Sequence, residues 1–218
     1  MTDVRDFNSQ SMGEEIANAI SHGTGTLLAI AATVILIVKA AFYSTAIGVV
    51  SACLYGATMI LLYCFSTLYH ALTNRKAKRV FQVFDHCSIF LLILGTYIPV
   101  SLTLVGGAVG WTLFGIIAGL TVIGIVFNSI NLAKWHKLSL ILYILMGWTV
   151  IGFGRTVLSA IPKGGLMWLL AGGIMYTFGI IFYVMKKKKY MHFIWHLFVL
   201  GGTVMHYIFT LLYCYPAK

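Results

Sequence analysis

Seven apolar stretches, at roughly 20–38, 47–69, 84–105, 109–130, 138–158, 165–185 and 192–213, dominate this chain of 218 residues. Each is close to the ~20 residues that a helix rising 1.5 Å per residue needs to cross the hydrocarbon core of a bilayer. They are too long for strands and lack the polar alternation of a membrane barrel. The separators read as loops: Asn74-Arg75-Lys76-Ala77-Lys78-Arg79, Gly106-Gly107, Lys134 to Lys137, Pro162 to Gly165, and four lysines at 186–189. The expectation is an all-α integral membrane protein, with a short cytoplasmic N-terminal segment at 1–15 and a seven-transmembrane helix bundle over 16–218.

Composition excludes the soluble alternative. Only 9% of residues are charged and 60% are hydrophobic, against about 25% and 45–50% in a soluble domain. The net charge of +10 is therefore read as topology, not as a nucleic-acid footprint. With the N-terminus inside, the inner segments hold eleven basic residues: Arg5, Arg75, Lys76, Lys78, Arg79, Lys134, Lys137 and Lys186 to Lys189. The outer side holds Lys39, Arg155, Lys163 and Lys218. Basic residues collect in cytoplasmic loops, so the N-terminus is placed in the cytoplasm and the C-terminus outside. Asp3, Asp6, Glu14 and Glu15 give the start of the chain the wrong sign for a signal peptide, and the first apolar run is read as a retained helix. The tetralysine also suits anionic lipid headgroups.

Cys53, Cys64, Cys87 and Cys214 are scattered through apolar runs without CxxC spacing and are read as small buried hydrophobes. Gly115-Ile-Ile-Ala-Gly119 is a GxxxG, assigned to close helix packing. Pro99 inside the third run is expected to kink it, as a bundle tolerates.

The few polar residues in the apolar runs carry the functional signal. Asp85 is the only acid after Glu15, and an ionisable group there is a functional-site candidate. Under the topology above, His22, His70, Asp85, His86, His192 and His196 all fall at the cytoplasmic ends of their helices. His192 and His196, at i and i+4, project from one helix face, the spacing with which HExxH helices offer two nitrogens to Zn²⁺. His70 supplies a third from another helix, and three protein ligands with an open fourth position is the catalytic zinc pattern. Ser66 precedes His70 by one turn, although a serine in a membrane helix commonly bonds back to its own i−4 carbonyl. Asp85 has three readings: neutralising Arg79, orienting His70, or holding a water at the metal. Glu15, Asn18 and His22 form a stripe at the entrance of the first helix, either a terminal polar cluster or the wall of the same pocket. His136, beside Lys134 and Lys137, is expected to be solvated. His206 lies about 15 Å beyond His196 along its helix and is assigned to a helix–helix hydrogen bond.

Glu15-x-x-Asn18-x-x-x-His22, Ser66-Thr-Leu-Tyr-His70, Phe84-Asp85-His86 and His192-x-x-x-His196, in this order, resemble the signature blocks of the haemolysin III proteins, within the progestin and adiponectin receptor superfamily. The resemblance runs from about residue 14 to the end and fits the bacterial branch better. It implies a seven-helix bundle with the N-terminus inside and a zinc ion near the cytoplasmic face. His70, His192 and His196 match the family's zinc ligands, Asp85 an acid that reaches the ion through water, and Ser66 a nearby serine. Members of the superfamily have been viewed as haemolysins, receptors and lipid-amide hydrolases.

Three functions are open. In the first, a zinc hydrolase of the cell membrane cleaves a lipid amide or ester, with Asp85 as general base and Ser66 donating to the oxyanion. The second is a cytolysin or pore, and the third a lipid-homeostasis or signalling protein with a structural zinc. A transporter is weaker, since the sequence shows no inverted repeat and no mid-membrane charge pair. Membrane lipids are the expected partners.

Overall fold

A computed structural model of the chain describes residues 10–185 and 188–215. Asp3, Arg5 and Asp6, Lys186 and Lys187 of the tetralysine, and Lys218 lie outside the described residues. The described chain is helical throughout: α1 (Met12–Tyr43), α2 (Ala46–Ala71), α3 (Arg75–Pro99), α4 (Gly107–Gly152), α5 (Gly154–Ala160), α6 (Lys163–Val184) and α7 (Met191–Phe209). Among the described residues six helices are long and apolar enough to cross a membrane, counting the π-helical continuations of α3 to Val105 and of α7 to Cys214.

Local chemistry sets several helix ends. Ser11 and Glu14 form a capping box at α1: the Glu14 amide donates to Ser11 Oγ and the Ser11 amide to Glu14 Oε2, at 3.4 and 2.9 Å. At α3, Asn74 Oδ1 accepts from the amides of Lys76 and Ala77. The basic run at 75–79, expected as a loop, is the first turn of α3 instead, because this cap starts the helix ahead of the charges. Pro99 removes a backbone donor, and the chain passes directly into the π-helical turns Val100–Val105. Gly106 and Gly107, both with positive φ of 62° and 53°, then reverse it.

The largest departure from expectation is α4. At 46 residues it would run about 69 Å if straight, but Asn131 leaves the helical region with φ −161° and ψ 90°. Ser139 Oγ donates to Asn128 Oδ1 at 2.6 Å, and the rings of Phe127 and Trp135 stack 4.6 Å apart. Eleven residues of straight helix would separate Asn128 from Ser139 by about 16 Å, so the chain has doubled back. The arm at 107–130 runs antiparallel to α3, with Thr121 bonding to the Phe90 carbonyl and Cys87 Sγ 3.9 Å from that of Ile125. The arm at 132–152 runs parallel to α3: Tyr143 Oη donates to the His86 carbonyl at 2.8 Å, and Tyr97 Oη to that of Met146 at 2.8 Å. Asn131 Oδ1 accepts from the Lys134 amide and so caps the returning arm. The reversal falls at Asn131, and Lys134 to Lys137, expected as the loop, are helical.

Buried side chains, among them Tyr55, Tyr63, Phe90, Leu113, Ile117 and Met146, fill the centre of the bundle. Apolar residues also cover the outside, where Leu27 is 71% and Met167 73% exposed, as suits a protein whose solvent is lipid. The GxxxG reading is corrected: among the described residues no other helix comes within 4 Å of a Cβ placed at Gly115 or Gly119. Close packing is found elsewhere, at Gly124, where a Cβ would stand 2.2 Å from the Phe90 ring. All four cysteines are free; Cys87 and Cys214 are buried, Cys64 is half-buried, and Cys53 is exposed rather than buried.

Candidate metal centre

α2 ends on His70 and α7 begins with His192 and His196, and the packing of α1 against both brings these ends together. His70 and His196 are buried and His192 half-buried, with one ring nitrogen from each lying within 4.8 Å of the others. Ring centroids are 5.3 Å apart for His70 and His192, 5.0 Å for His70 and His196, and 4.7 Å for His192 and His196. Three imidazoles at this spacing are a nitrogen donor set that can hold one metal ion. His70 Nε2 fits the requirement, being buried without a hydrogen-bond partner among the described residues, a costly state for a polar atom unless a ligand satisfies it.

Ser66 and Asp85 line one cavity with His192 and His196. Ser66 is fully buried, and its Oγ has no hydrogen-bond partner among the described residues. It does not bond back to the i−4 carbonyl, although Thr67 beside it does so to Tyr63 at 2.7 Å. Asp85 is buried, with Oδ2 3.7 Å from His86 Nδ1. Among the described residues it makes no ion pair with Arg79 within 4 Å, and it does not orient His70 either. His86 Nδ1 donates to the Gln82 carbonyl at 2.8 Å.

Glu15 is the partner of His70. Its Oε2 lies 2.7 Å from His70 Nδ1, and its Oε1 accepts from Lys78 Nζ at 3.0 Å. The stripe seen in the sequence therefore belongs to this site: Asn18 Nδ2 approaches His70 Nδ1 to 3.5 Å, and the His22 ring stacks on His196 at 3.6 Å with planes 11° apart. Ser21, which sequence reasoning passed over, lies 3.3 Å from His196 Nδ1. Its position one residue off the Glu15–Asn18–His22 stripe was the available signal. Glu14 Oε1 accepts from the Tyr190 amide at 2.8 Å and ties α1 to the turn two residues before His192.

Two other histidines are settled by packing. His136 is not solvated: Nε2 is 2.9 Å from Tyr183 Oη and the rings stack at 5.5 Å. His206 bonds through Nε2 to the Leu169 carbonyl on α6 at 3.0 Å, the helix–helix contact expected of it. The cavity continues from the histidines to His206, past Ile93, Ile144, Val150 and Val199. From His192 to His206 it follows α7 for about 21 Å.

A bundle of membrane-crossing helices with a histidine cluster at the ends of α2 and α7 defines a class. The chain belongs to the haemolysin III family, since residues 10–207 match the family described as "Haemolysin-III related". It is a multi-pass membrane protein. It is 43% identical over 216 residues to "Hemolysin-3" of Bacillus cereus, covering 99% of both chains. It is also 43% identical over 201 residues to "Hemolysin-3 homolog" of Bacillus subtilis (strain 168), covering 92% of this chain and 94% of that one. More distantly, it is 26% identical over 176 residues to "Monocyte to macrophage differentiation factor" of Homo sapiens, covering 76% of this chain and 71% of that protein.

Proposed function

We propose that this protein is a seven-span membrane hydrolase that uses a zinc ion held by His70, His192 and His196 to cleave an amide or ester bond in a lipid. The observation that carries the reading is the cavity, in which His192 and His196 of the three-histidine cluster, with Ser66 and Asp85, stand at one end of a long apolar channel. The helical hairpin at Asn131 supplies the seventh crossing: its arms, 107–130 and 132–152, are about 36 and 32 Å long, each enough for the ~30 Å hydrocarbon core. The distribution of lysine and arginine supports an inside N-terminus and outside C-terminus, with the site opening toward the cytoplasm.

A zinc ion held by His70, His192 and His196 would polarise an acyl carbonyl and acidify water. The protein's own groups do the rest. The apolar walls between α3, the returning arm of α4, α6 and α7 take the acyl chain and leave its polar linkage beside the histidines. Ser66 Oγ, which has no hydrogen-bond partner among the described residues, donates to the carbonyl oxygen as negative charge grows there. Asp85 takes a proton from the attacking water and returns it to the leaving nitrogen or oxygen. Water's oxygen bonds to the acyl carbon, the carbon–nitrogen or carbon–oxygen bond breaks, and a fatty acid and an amine or alcohol leave.

The relatives' printed names favour a second reading, a lytic activity. The two separate in one experiment on detergent-purified protein: metal content, turnover of fluorogenic lipid amides and esters, and conductance in liposomes, for wild type, Asp85→Asn and the double variant His192→Ala/His196→Ala. About one zinc per chain with turnover lost in both variants is the expected result. Zinc-bearing Asp85→Asn protein with wild-type turnover overturns the mechanism, and conductance that survives in the double variant favours the pore.

A further inference from the structure

Two of the three clustered imidazoles are engaged at Nδ1 by side chains of α1. Ser21 Oγ gives its own proton to the Asn18 carbonyl at 2.9 Å, so toward His196 Nδ1 it accepts. Glu15 Oε2 lies 2.7 Å from His70 Nδ1, the shortest polar contact that ring makes. An ionised carboxylate only accepts, so the proton of His70 stands on Nδ1 and the lone pair on Nε2, the buried atom with no partner among the described residues. The Asn18 amide stands 3.5 Å from the same nitrogen, much farther than the carboxylate, and makes its short hydrogen bond to Gln10 Oε1 at 2.6 Å. Lys78 holds the second carboxylate oxygen at 3.0 Å while donating to the Tyr69 carbonyl at 3.0 Å. The carboxylate is thus clamped between α2 and α3 and has one place to stand.

We propose that Glu15 is the positioning residue of the metal centre: it selects the Nδ1–H tautomer of His70 and aims Nε2 at the ion, with Lys78 as its lock. The proposal rests on reading His70, His192 and His196 as a metal site. It assigns α1, which contributes no ligand, the task of arranging two of the three ligands, and it gives the Glu15–Asn18–His22 stripe a function distinct from catalysis. Partners of this kind, on the far nitrogen of a ligating imidazole, typically change metal affinity 10–100-fold.

The test uses full-length protein in detergent. Zinc affinity is measured by chelator competition for wild type, Glu15→Gln, Glu15→Ala and Lys78→Met, with the thermal midpoint of each zinc-stripped protein alongside. The tautomer of His70 is read by long-range ¹H–¹⁵N correlation in stripped, histidine-labelled protein. The expected result is affinity about 10–100-fold weaker in Glu15→Ala, less loss in Glu15→Gln, whose amide oxygen still accepts from Nδ1–H, and a smaller loss in Lys78→Met. Stripped midpoints of the glutamine variant stay near wild type, and His70 loses its single Nδ1–H tautomer in the alanine variant. Glu15→Ala and Glu15→Gln binding zinc as wild type does, or His70 holding the Nε2–H tautomer in wild type, overturns the proposal. Wild type that binds no zinc overturns the metal reading itself, and that result is visible without any variant.

Discussion

Replacing His196 tests the metal centre without assuming any substrate. His196 is 2% exposed and carries three relationships at once: a ring nitrogen of the cluster, the stack against His22 at 3.6 Å, and the Nδ1 contact with Ser21. Alanine removes all three, so its total destabilisation mixes packing with metal binding. Phenylalanine keeps the flat ring against His22 and removes the nitrogens. The separating quantity is the zinc-dependent increment in stability. A ligand that binds only the folded state at 100 times its Kd stabilises by about 2.7 kcal/mol, and in a chain of 150–250 residues each kcal/mol moves Tm by about 2–4 °C. Wild type should therefore gain roughly 5–10 °C from zinc over the chelated protein, read by intrinsic tryptophan fluorescence, with Trp195 adjacent to the site. His196→Phe and His196→Ala should both lose that increment, while the metal-free midpoint falls much further in alanine. If either variant keeps the wild-type zinc increment, His196 is not a ligand and the centre has been misassigned.

Three further outcomes follow from the geometry. Ser66→Ala should leave the fold at least as stable as wild type, because the buried Ser66 Oγ has no partner among the described residues to lose, while turnover of a cleaved lipid falls about 10²–10³-fold; equal turnover would remove Ser66 from the mechanism. Cysteines placed at Lys134 and Lys163, one at the hairpin and one before α6, should be labelled by a membrane-impermeant maleimide from opposite faces of sealed vesicles, and labelling from the same face would refute the seven-span reading. Gly124→Leu should destabilise by about 1–3 kcal/mol or more, because even its Cβ would stand 2.2 Å from the Phe90 ring; an unchanged midpoint would mean that this arm of α4 does not pack on α3 as described.

The shared face of His192 and His196 is legible in the residue order itself, because i and i+4 on a helix point the same way whatever surrounds them. The same local logic makes the apolar runs into helices: about twenty apolar residues in lipid satisfy their backbone in only one way. Family blocks point to Ser66, His70 and Asp85, and the structure sets Ser66 and Asp85 in one cavity with His192 and His196. Pairings across helices are not legible in this way. Asp85 is a candidate orienter of His70 by sequence, but Glu15 takes that place, since the choice depends on how α1 is rotated against α2 and no periodicity encodes a rotation. His136 stands among lysines in the chain, yet α6 brings Tyr183 against it.

Asn131 marks the same boundary from the other side. Lys134 to Lys137 announce a connection nearby, yet the turn is made by an asparagine with one extended residue and a side-chain cap, inside what is otherwise unbroken helix. Sequence alone determined that this chain lives in a membrane and which histidines stand on a common face, because both follow from short-range geometry and solvation. Only the tertiary structure decided which carboxylate holds His70, which hydroxyl is left unbonded in the cavity, and where the long helix folds back. Those depend on contacts between residues far apart in the chain, 55 positions for Glu15 and His70 and 57 for His86 and Tyr143, whose meeting is set by the packing of whole helices.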